Sequence, residues 1–310
     1  MHARAWWRDF SLEGGAVRVH ATGALVPLSR AVISDVLHWL PYYLAVESRR
    51  PGVAQDGPVI AFAPHAPRPW YQIWAAVHLA GLRVSDDLRQ ADILFHFCDA
   101  THSPRPPGWT GPGFNLDCSD ISKSRVAGVF ETVSGRQLLI DPEQFDGAFV
   151  DKSEANAAHD GRVRTQPCPP AAGRCYQRLI ETAGPDGMAE DLRCVMAGGE
   201  IAALFVKRRP ASRRFENHNA EVFLADPGVR FSTEERRLLR QFCHALHLDW
   251  GGLDVLRDRA TGEIWIVDAN KTDMGPPVSM ALGDRLEAIE RIAAALRRHC
   301  ESLLGWRRAA

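Results

Sequence analysis

The sequence predicts an α+β protein, and three patterns carry that reading. Pro58 to Phe97 runs from a short apolar strand through a helical pattern to a second apolar strand, the order of a small parallel α/β unit. Leu192 to Lys207 and Leu253 to Asn270 each read as two β-rich runs joined by a glycine-bearing turn, which is how antiparallel hairpins are written. Two long amphipathic stretches, one beginning at Ser232 and one from Gly283 to Leu304, supply helices to cover the strands.

The elements follow in order. Residues before Pro58 look like an addition of their own. Val59 to Ala63 is a strand, a loop with Pro64, Pro67 and Pro69 follows, Trp70 to Ala80 is helical and ends at Gly81, and Ala91 to Phe97 is a second buried strand. Ser103 to Gly113, with Pro104, Pro106, Pro107 and Pro112, reads as a linker. Ser122 to Val133 is an amphipathic helix stopping near Gly135. Leu138 to Ile140 and Gly147 to Val150 are strands flanking a loop, with Cys175 to Ile180 as a third. Leu192 to Met196 and Ile201 to Lys207 form a hairpin turning at Gly198-Gly199. Ser232 caps a long helix and Glu235 completes a capping box, while Leu286, Ile289, Ile292, Ala293 and Leu296 form the apolar face of the closing helix.

Composition sets limits. A chain of 310 residues, 45% hydrophobic and 24% charged, can bury one large core or two to three subdomains. A net charge of -1 provides no global basic field for nucleic acid, which is not expected as a partner. Met1 to Asp9 lacks the apolar core of a signal peptide. The longest apolar stretch, Val32 to Val46, is interrupted by Ser34, Asp35 and His38 and broken by Pro41, so neither reads as a membrane segment and a cytoplasmic protein is expected. Seven cysteines without a Cys-x-x-Cys argue against a disulfide framework or a structural zinc site. His244 and His247 beside Cys243 lack a complete ligand set and sit in an amphipathic pattern with Phe242, Leu246 and Leu248.

The segment from Leu253 to Asn270 carries the most chemistry. Along its second strand Ile264, Ile266, Asp268 and Asn270 share one side, and Trp265, Val267 and Ala269 the other. Both sides begin apolar, so the strand is expected to be central. Asp268 and Asn270 at its end then need a partner, because an unpaired buried carboxylate costs several kcal/mol or more. With Asp254 on the facing strand, these hard oxygens suit Mg2+, which takes few carboxylates plus phosphate and water. The alternative is that Asp268 and Asn270 only cap a loop. Two such carboxylates repel when no metal lies between them, so Asp268→Asn is expected to stabilise the apoprotein.

This hairpin resembles the metal-binding end of the ATP-grasp superfamily, and the resemblance extends upstream in matching order. Asp120-Ile121-Ser122-Lys123-Ser124 is similar to the Asp-Lys opening of the nucleotide-binding subdomain, and Ala148-Phe149-Val150-Asp151-Lys152 to the strand carrying the second ATP lysine. Tyr176 to Glu181 resembles the adenine hinge. Asp191-Leu192-Arg193 resembles the Asp-x-Arg strand of the ribosomal-protein glutamate ligases and their glutathione synthetase-like relatives, and Arg213 to Asn219 the segment that follows it there. What this implies is an ATP-grasp fold of two α+β subdomains clasping ATP, over residues 114–182 and 183–310, preceded by a small α/β pre-ATP-grasp domain with its extension over 1–113.

By the same resemblance the activity is an ATP-dependent carboxylate-amine ligase forming an amide or peptide bond through an acyl phosphate. It would act on small-molecule or peptide carboxylates and amines, with a homodimer left open. ATP and Mg2+ are the implied cofactors, with Mn2+ as a substitute. Lys123 and Lys152 would hold phosphates, Gln177, Leu179 and Ile180 would line the adenine, and Asp191 and Lys207 would sit on the nucleotide side. Arg193 and Arg214 would be catalytic, with Asn217 sharing that function, and Asp254, Asp268 and Asn270 would hold the metal. Lys207, Arg208, Arg209, Arg213 and Arg214 read either as a solvated basic run or as an anion funnel.

Three departures stand out. The loop from Ser153 to Gly161 has one glycine where relatives have several, so Asn156 and His159 are possible donors in place of amides. Asp268 stands where most relatives have Glu. Lys271 and Asp273 replace small residues and are expected to flank the reacting centre. Two other classes remain open: an ATP-grasp kinase, and a noncatalytic ATP-binding module.

Overall fold

A computed structural model describes residues 6–8, 10–20, 24–156, 158, 160–215 and 219–305. The N-terminal addition is an antiparallel meander of β1 (Phe10–Glu13), β2 (Ala16–Val19) and β3 (Ala24–Pro27), followed by helix α1 (Arg30–Arg49). Then come β4 (Val59–Pro64), α2 (Gln72–Leu79), β5 (Arg83–Val84), β6 (Ile93–Phe97) and β7 (Gly113–Phe114), whose four strands form a parallel sheet in the order β5-β4-β6-β7. Helix α3 (Lys123–Ser134) leads to β8 (Phe149–Ser153), β9 (Arg162–Arg164) and β10 (Arg174–Arg178), an antiparallel sheet ordered β10-β8-β9. The rest of the chain supplies β11 (Met188–Ala197), β12 (Glu200–Pro210), β13 (Glu221–Ala225), α4 (Pro227–Arg230), α5 (Thr233–Leu246), β14 (Trp250–Arg257), β15 (Ile264–Asn270) and α6 (Leu282–Leu303). Its five strands run antiparallel in the order β13-β12-β11-β14-β15.

Strand alternation on β11 explains how this last sheet works. Leu192, Cys194 and Met196 face α3 and α5, in a core with Phe130, Leu239 and Phe242. Val195 and Ala197 face the other way, in a core with Phe205, Trp250 and the α6 residues Ile289, Ile292 and Leu296. Asp191 and Arg193 continue that second face beyond the reach of α6, so a surface that is core at one end becomes a cleft wall at the other. The turn between β11 and β12 places Gly198 and Gly199 at φ +59° and +78°, the left-handed pair that a tight hairpin needs. Ser232 and Glu235 form the capping box of α5 in both directions.

The structure corrects four expectations. Ser103 to Gly113 is not a linker: it folds back on the parallel sheet, its Trp109 Nε1 donates to Pro112 O at 3.1 Å, and Gly113 enters β7. Leu138 to Ile140 is not a strand but a single bridge between Leu139 and Gln177, because Pro142 and the turn after it end the pairing. Pro41 does not break the helix around it. Tyr42 and Val46 in the next turns are fully buried against α2 and α6, and that packing outweighs the lost hydrogen bond. The strand ending in Asp268 and Asn270, expected to be central, is β15 at the edge of the five-stranded sheet, where α3 packs on it and buries its apolar side chains. Among the described residues no helix is long and apolar enough to cross a membrane.

Candidate functional site

Between the β10-β8-β9 sheet and the five-stranded sheet lies a cleft of about 450 Å3, lined by Lys123, Lys152, Gln177, Leu179, Ile180, Asp191, Arg193, Lys207, Arg214, Asp254, Asp268 and Asn270. From the small sheet and α3 come Lys152 and Lys123. Lys123 opens α3, whose first turn is fixed by the Ser122 side chain accepting from Arg125 N, and its Nζ reaches Asp268 Oδ1 at 2.5 Å. Lys152 Nζ donates to Val267 O at 2.9 Å. That carbonyl is presented by a β-bulge: Asp254 pairs with Asp268 but Val255 pairs with Ile266, which sets Val267 aside from one-to-one pairing. Burial pushes the Lys152 ammonium down, aided by Lys123 and opposed by Asp268.

Arg193 stands opposite Asp254 in the β11–β14 ladder. Its Nη1 donates to Asp254 Oδ1 at 2.9 Å and its Nη2 to Asp273 Oδ1 at 2.7 Å. Burial alone would lower its pKa, but Asp254 and Asp273 outweigh it and hold the guanidinium charged. Burial likewise pushes the Asp254 carboxyl up, and Arg193 and Lys207 more than reverse this, holding it well below the usual carboxylate range. Asp191 differs: burial raises its carboxyl to about 6 although Arg209 Nη2 lies 2.6 Å away. Alternation divides the basic run. Lys207 and Arg209 line the cleft, whereas Arg208 points outward to Glu221 and Asp186. Arg214 also lines the cleft, with Nη2 3.1 Å from Glu181 Oε1. Asn217 and His159 lie outside the described residues.

The Asp254, Asp268 and Asn270 side chains converge on this cleft. Arg193 and Lys123 each engage only Oδ1 of the respective carboxylate, and Asn270 Oδ1 accepts from Thr272 N at 2.9 Å. Among the described residues no group of three or more histidine, cysteine or acidic side chains is arranged to hold a metal. Two carboxylates and an amide oxygen therefore make half a site. Such a donor set fits Mg2+, which completes its shell with phosphate and water. Each of the two carboxylates already has a cation of its own, Lys123 for Asp268 and Arg193 for Asp254, which offsets the repulsion expected between them.

The adenine side is less open than expected. Gln177 is buried with Nε2 3.4 Å from Lys123 O, and the Leu179 amide donates to Ala148 O at 3.2 Å, so Leu179 offers the cleft its side chain. Ile180 is buried on the same wall.

No protein-family model matches the chain, and no curated protein matches it. Among solved structures, the ATP-grasp ligase PsnB complexed with a phosphomimetic variant of its minimal precursor, Mg and ADP is similar over 79% of this chain and 99% of that one, with a TM-score of 0.50 and 11% identity. The chain has the ATP-grasp fold. D-alanine–D-alanine ligase from Bacillus anthracis complexed with ATP (TM-score 0.47, 10% identity, 80% of this chain and 97% of that one) and a RimK domain protein from Sphaerobacter thermophilus DSM 20745 (0.46, 12%, 77% and 99%) are also similar.

In this ATP-grasp chain the glycine-poor loop is held by side chains. Glu154 accepts from Ser124 N at 3.0 Å and from Ser124 Oγ, Asp160 accepts from Ser153 N at 2.9 Å and pairs with Arg174, and Asn156 N donates to Thr101 Oγ1 at 2.8 Å. The loop's one glycine, Gly161, lies so close to Phe215 that a Cβ would come within 2.8 Å of the ring. Lys271 does not flank the cleft. Next to Asn270, it points the opposite way, and its buried Nζ donates to Ser103 Oγ at 2.6 Å. Sequence reading missed Tyr71, Asp99 and Thr272 on the cleft wall, whereas Arg209 of the basic run and Asn219 do line it, the latter with a buried Oδ1 that has no hydrogen bond. Asp99 had a usable signal: it closes the second strand of a parallel α/β unit, where such sheets bind ligands.

Proposed function

We propose that the protein is an ATP-dependent carboxylate-amine ligase that forms an amide or peptide bond through an acyl phosphate. One observation carries this reading: Lys152 of the β10-β8-β9 sheet and Lys123 at the start of α3 meet the carboxylates of the five-stranded sheet in a single cleft, with Lys123 Nζ 2.5 Å from Asp268. A carboxylate resists attack by an amine because oxide is a poor leaving group. Moving the γ-phosphoryl group of ATP onto it makes a mixed anhydride, from which the amine displaces phosphate. Little covalent work then falls to the chain, which has to position and to neutralise charge.

Lys123 and Lys152 would hold the α and β phosphates, with Lys207 and Asp191 on the nucleotide side. Arg193, aimed by Asp273, would receive the transferring phosphoryl group or the substrate carboxylate through its planar fork. Arg214 stands at the same cleft for the developing charge. Asp254, Asp268 and Asn270 would hold Mg2+, which when bound there neutralises phosphate charge. The Mg and ADP present with the similar ligase support that assignment.

The test is ADP release with pools of amino acids and acidic peptides, with and without hydroxylamine. A ligase yields a hydroxamate from trapped acyl phosphate, whereas ADP without trapping indicates a kinase. Asp254→Asn should abolish Mg2+-dependent ADP release; near-normal release from this variant would remove the metal assignment.

A further inference from the structure

A second cavity, of about 800 Å3, lies on the other side of β6 from the ATP-grasp cleft. It opens to solvent past the exposed Pro104, Arg105 and Pro107, and its volume falls within the range of small-molecule sites. It runs along the parallel sheet, from Leu88 and Ala91 before β6 to Ala63 and Pro64 at the C-terminal end of β4. Leu94 and His96, on one face of β6, and Cys98 just after it line this cavity, while Asp99 lines the cleft.

Its wall is the proline-rich segment that sequence alone read as a linker. Pro104, Pro106 and Pro107 fix φ there and leave a preformed shape. Trp109 is fastened by its Nε1 bond to Pro112 O, and Gly111 admits the indole, since a Cβ at that position would come within 2.9 Å of Trp109 Cζ2. The indole N–H is thereby used, and the ring offers an apolar face.

Several polar side chains of the lining are engaged, Arg89 with Asp87, His102 with Asp120, Arg105 with Asp117 and Ser103 Oγ with Lys271, whereas His96 keeps an acceptor. His96 is 3% exposed, and its Nδ1 lies 3.3 Å from Asn115 O, an acceptor, so Nδ1 carries the proton and Nε2 keeps a lone pair. Burial lowers the pKa of this imidazole, and nearby Lys271 adds to that, keeping it neutral. Around His96 the wall is apolar and aromatic, made by Ala63, Ala91, Leu94 and Trp109, with Nε2 as its acceptor.

We propose that this cavity binds an aromatic ring bearing a single N–H or O–H donor, with the donor on His96 Nε2 and the ring against Trp109. The site is separate from the nucleotide cleft and does not rest on the ligase reading.

Calorimetric titration of the full chain without nucleotide tests it, using indole and phenol against toluene, which has the ring but no donor. Indole and phenol should bind at least tenfold tighter than toluene, and His96→Leu should erase that preference. Ala91→Trp, which fills the cavity, should abolish binding while cooperative melting is retained; Leu88→Trp fills it from another wall if the first variant does not fold. No binding of indole or phenol up to their solubility overturns the proposal, as does unchanged binding in a folded, filled variant. N-acetyltryptophanamide binding as tightly as indole would assign the ring to a peptide chain, and weaker binding would assign it to a free molecule.

Discussion

Asp268 meets Lys123 at 2.5 Å and Asp254 meets Arg193 at 2.9 Å, so the two carboxylates proposed to hold Mg2+ are each neutralised by a cation of the chain itself. This reverses the stability expectation for Asp268→Asn. Losing the carboxylate strands the buried Lys123 ammonium, and the apoprotein should lose roughly 1–3 kcal/mol. Urea unfolding without Mg2+ or nucleotide measures it, and an unchanged or raised midpoint would show that the pair contributes nothing. Asp191 titrates in a different window from Asp254. Its folded pKa of about 6 exceeds the ordinary 3.8, so the folded chain holds that proton more tightly. Its contribution to stability must therefore fall as pH rises from 3.8 to about 6 and stay constant above. Asp254, depressed by its cations, contributes in the opposite sense: its stabilisation is present above the ordinary carboxylate value and is lost as pH falls below it. Thermal melts across pH for wild type and Asp191→Asn separate the two. Parallel curves between pH 4 and 6 would mean that Asp191 titrates as an ordinary carboxylate.

Helix α5 illustrates stability at the scale of an element. Ser232 Oγ accepts from Glu235 N at 3.2 Å, while Glu235 Oε2 accepts from Ser232 N at 2.8 Å, and Arg257 Nη1 reaches Glu235 Oε1 at 2.6 Å from the neighbouring strand. Ser232→Ala removes half of the box and should cost about 1 kcal/mol, read from the denaturation midpoint with an unchanged slope. Glu235→Ala should cost more, because it also releases Arg257. Equal costs for the two variants would show that the strand contact adds nothing to the cap.

For the whole molecule, the joint between the N-terminal addition and the rest is the least satisfied. Arg285 of α6 is 2% exposed and donates Nη1 to His38 O at 2.8 Å, but its Nε and Nη2 are buried without hydrogen bonds. Its guanidinium lies 4.6 Å from the Tyr42 ring centroid, a contact worth about 0.5–2 kcal/mol. Two unmade bonds to a buried cation cost about 1–3 kcal/mol each, so the deficit is larger than the gain. Arg285→Met should therefore leave the melting temperature unchanged or raise it. A fall of several degrees would show that the cation holds α1 in place. The exposed Ile33, Val36, Leu37, Leu40 and Leu44 of α1 leave that helix few other attachments on its outer side.

Local rules determined much of this protein from sequence alone. The capping box at Ser232, the Gly198-Gly199 turn, the both-sides-apolar strand ending in Asp268 and Asn270, and the parallel unit from Val59 to Phe97 each depend on neighbours within a few residues, where propensity and alternation operate. Matching motif order extended that reading to the residues of one cleft. Tertiary structure alone decided which charge meets which. Nothing near Lys123 in sequence specifies Asp268, nor anything near Arg193 specifies Asp273, because such pairs lie 145 and 80 residues apart and form only when α3 packs on β15 and the chain after β15 folds back towards β11. The same holds for Ser103 to Gly113: prolines exclude helix and sheet, but whether a stiff segment spans solvent or walls a cavity is set by the apolar surface it meets, here Leu94 and Leu116 at the end of the parallel sheet.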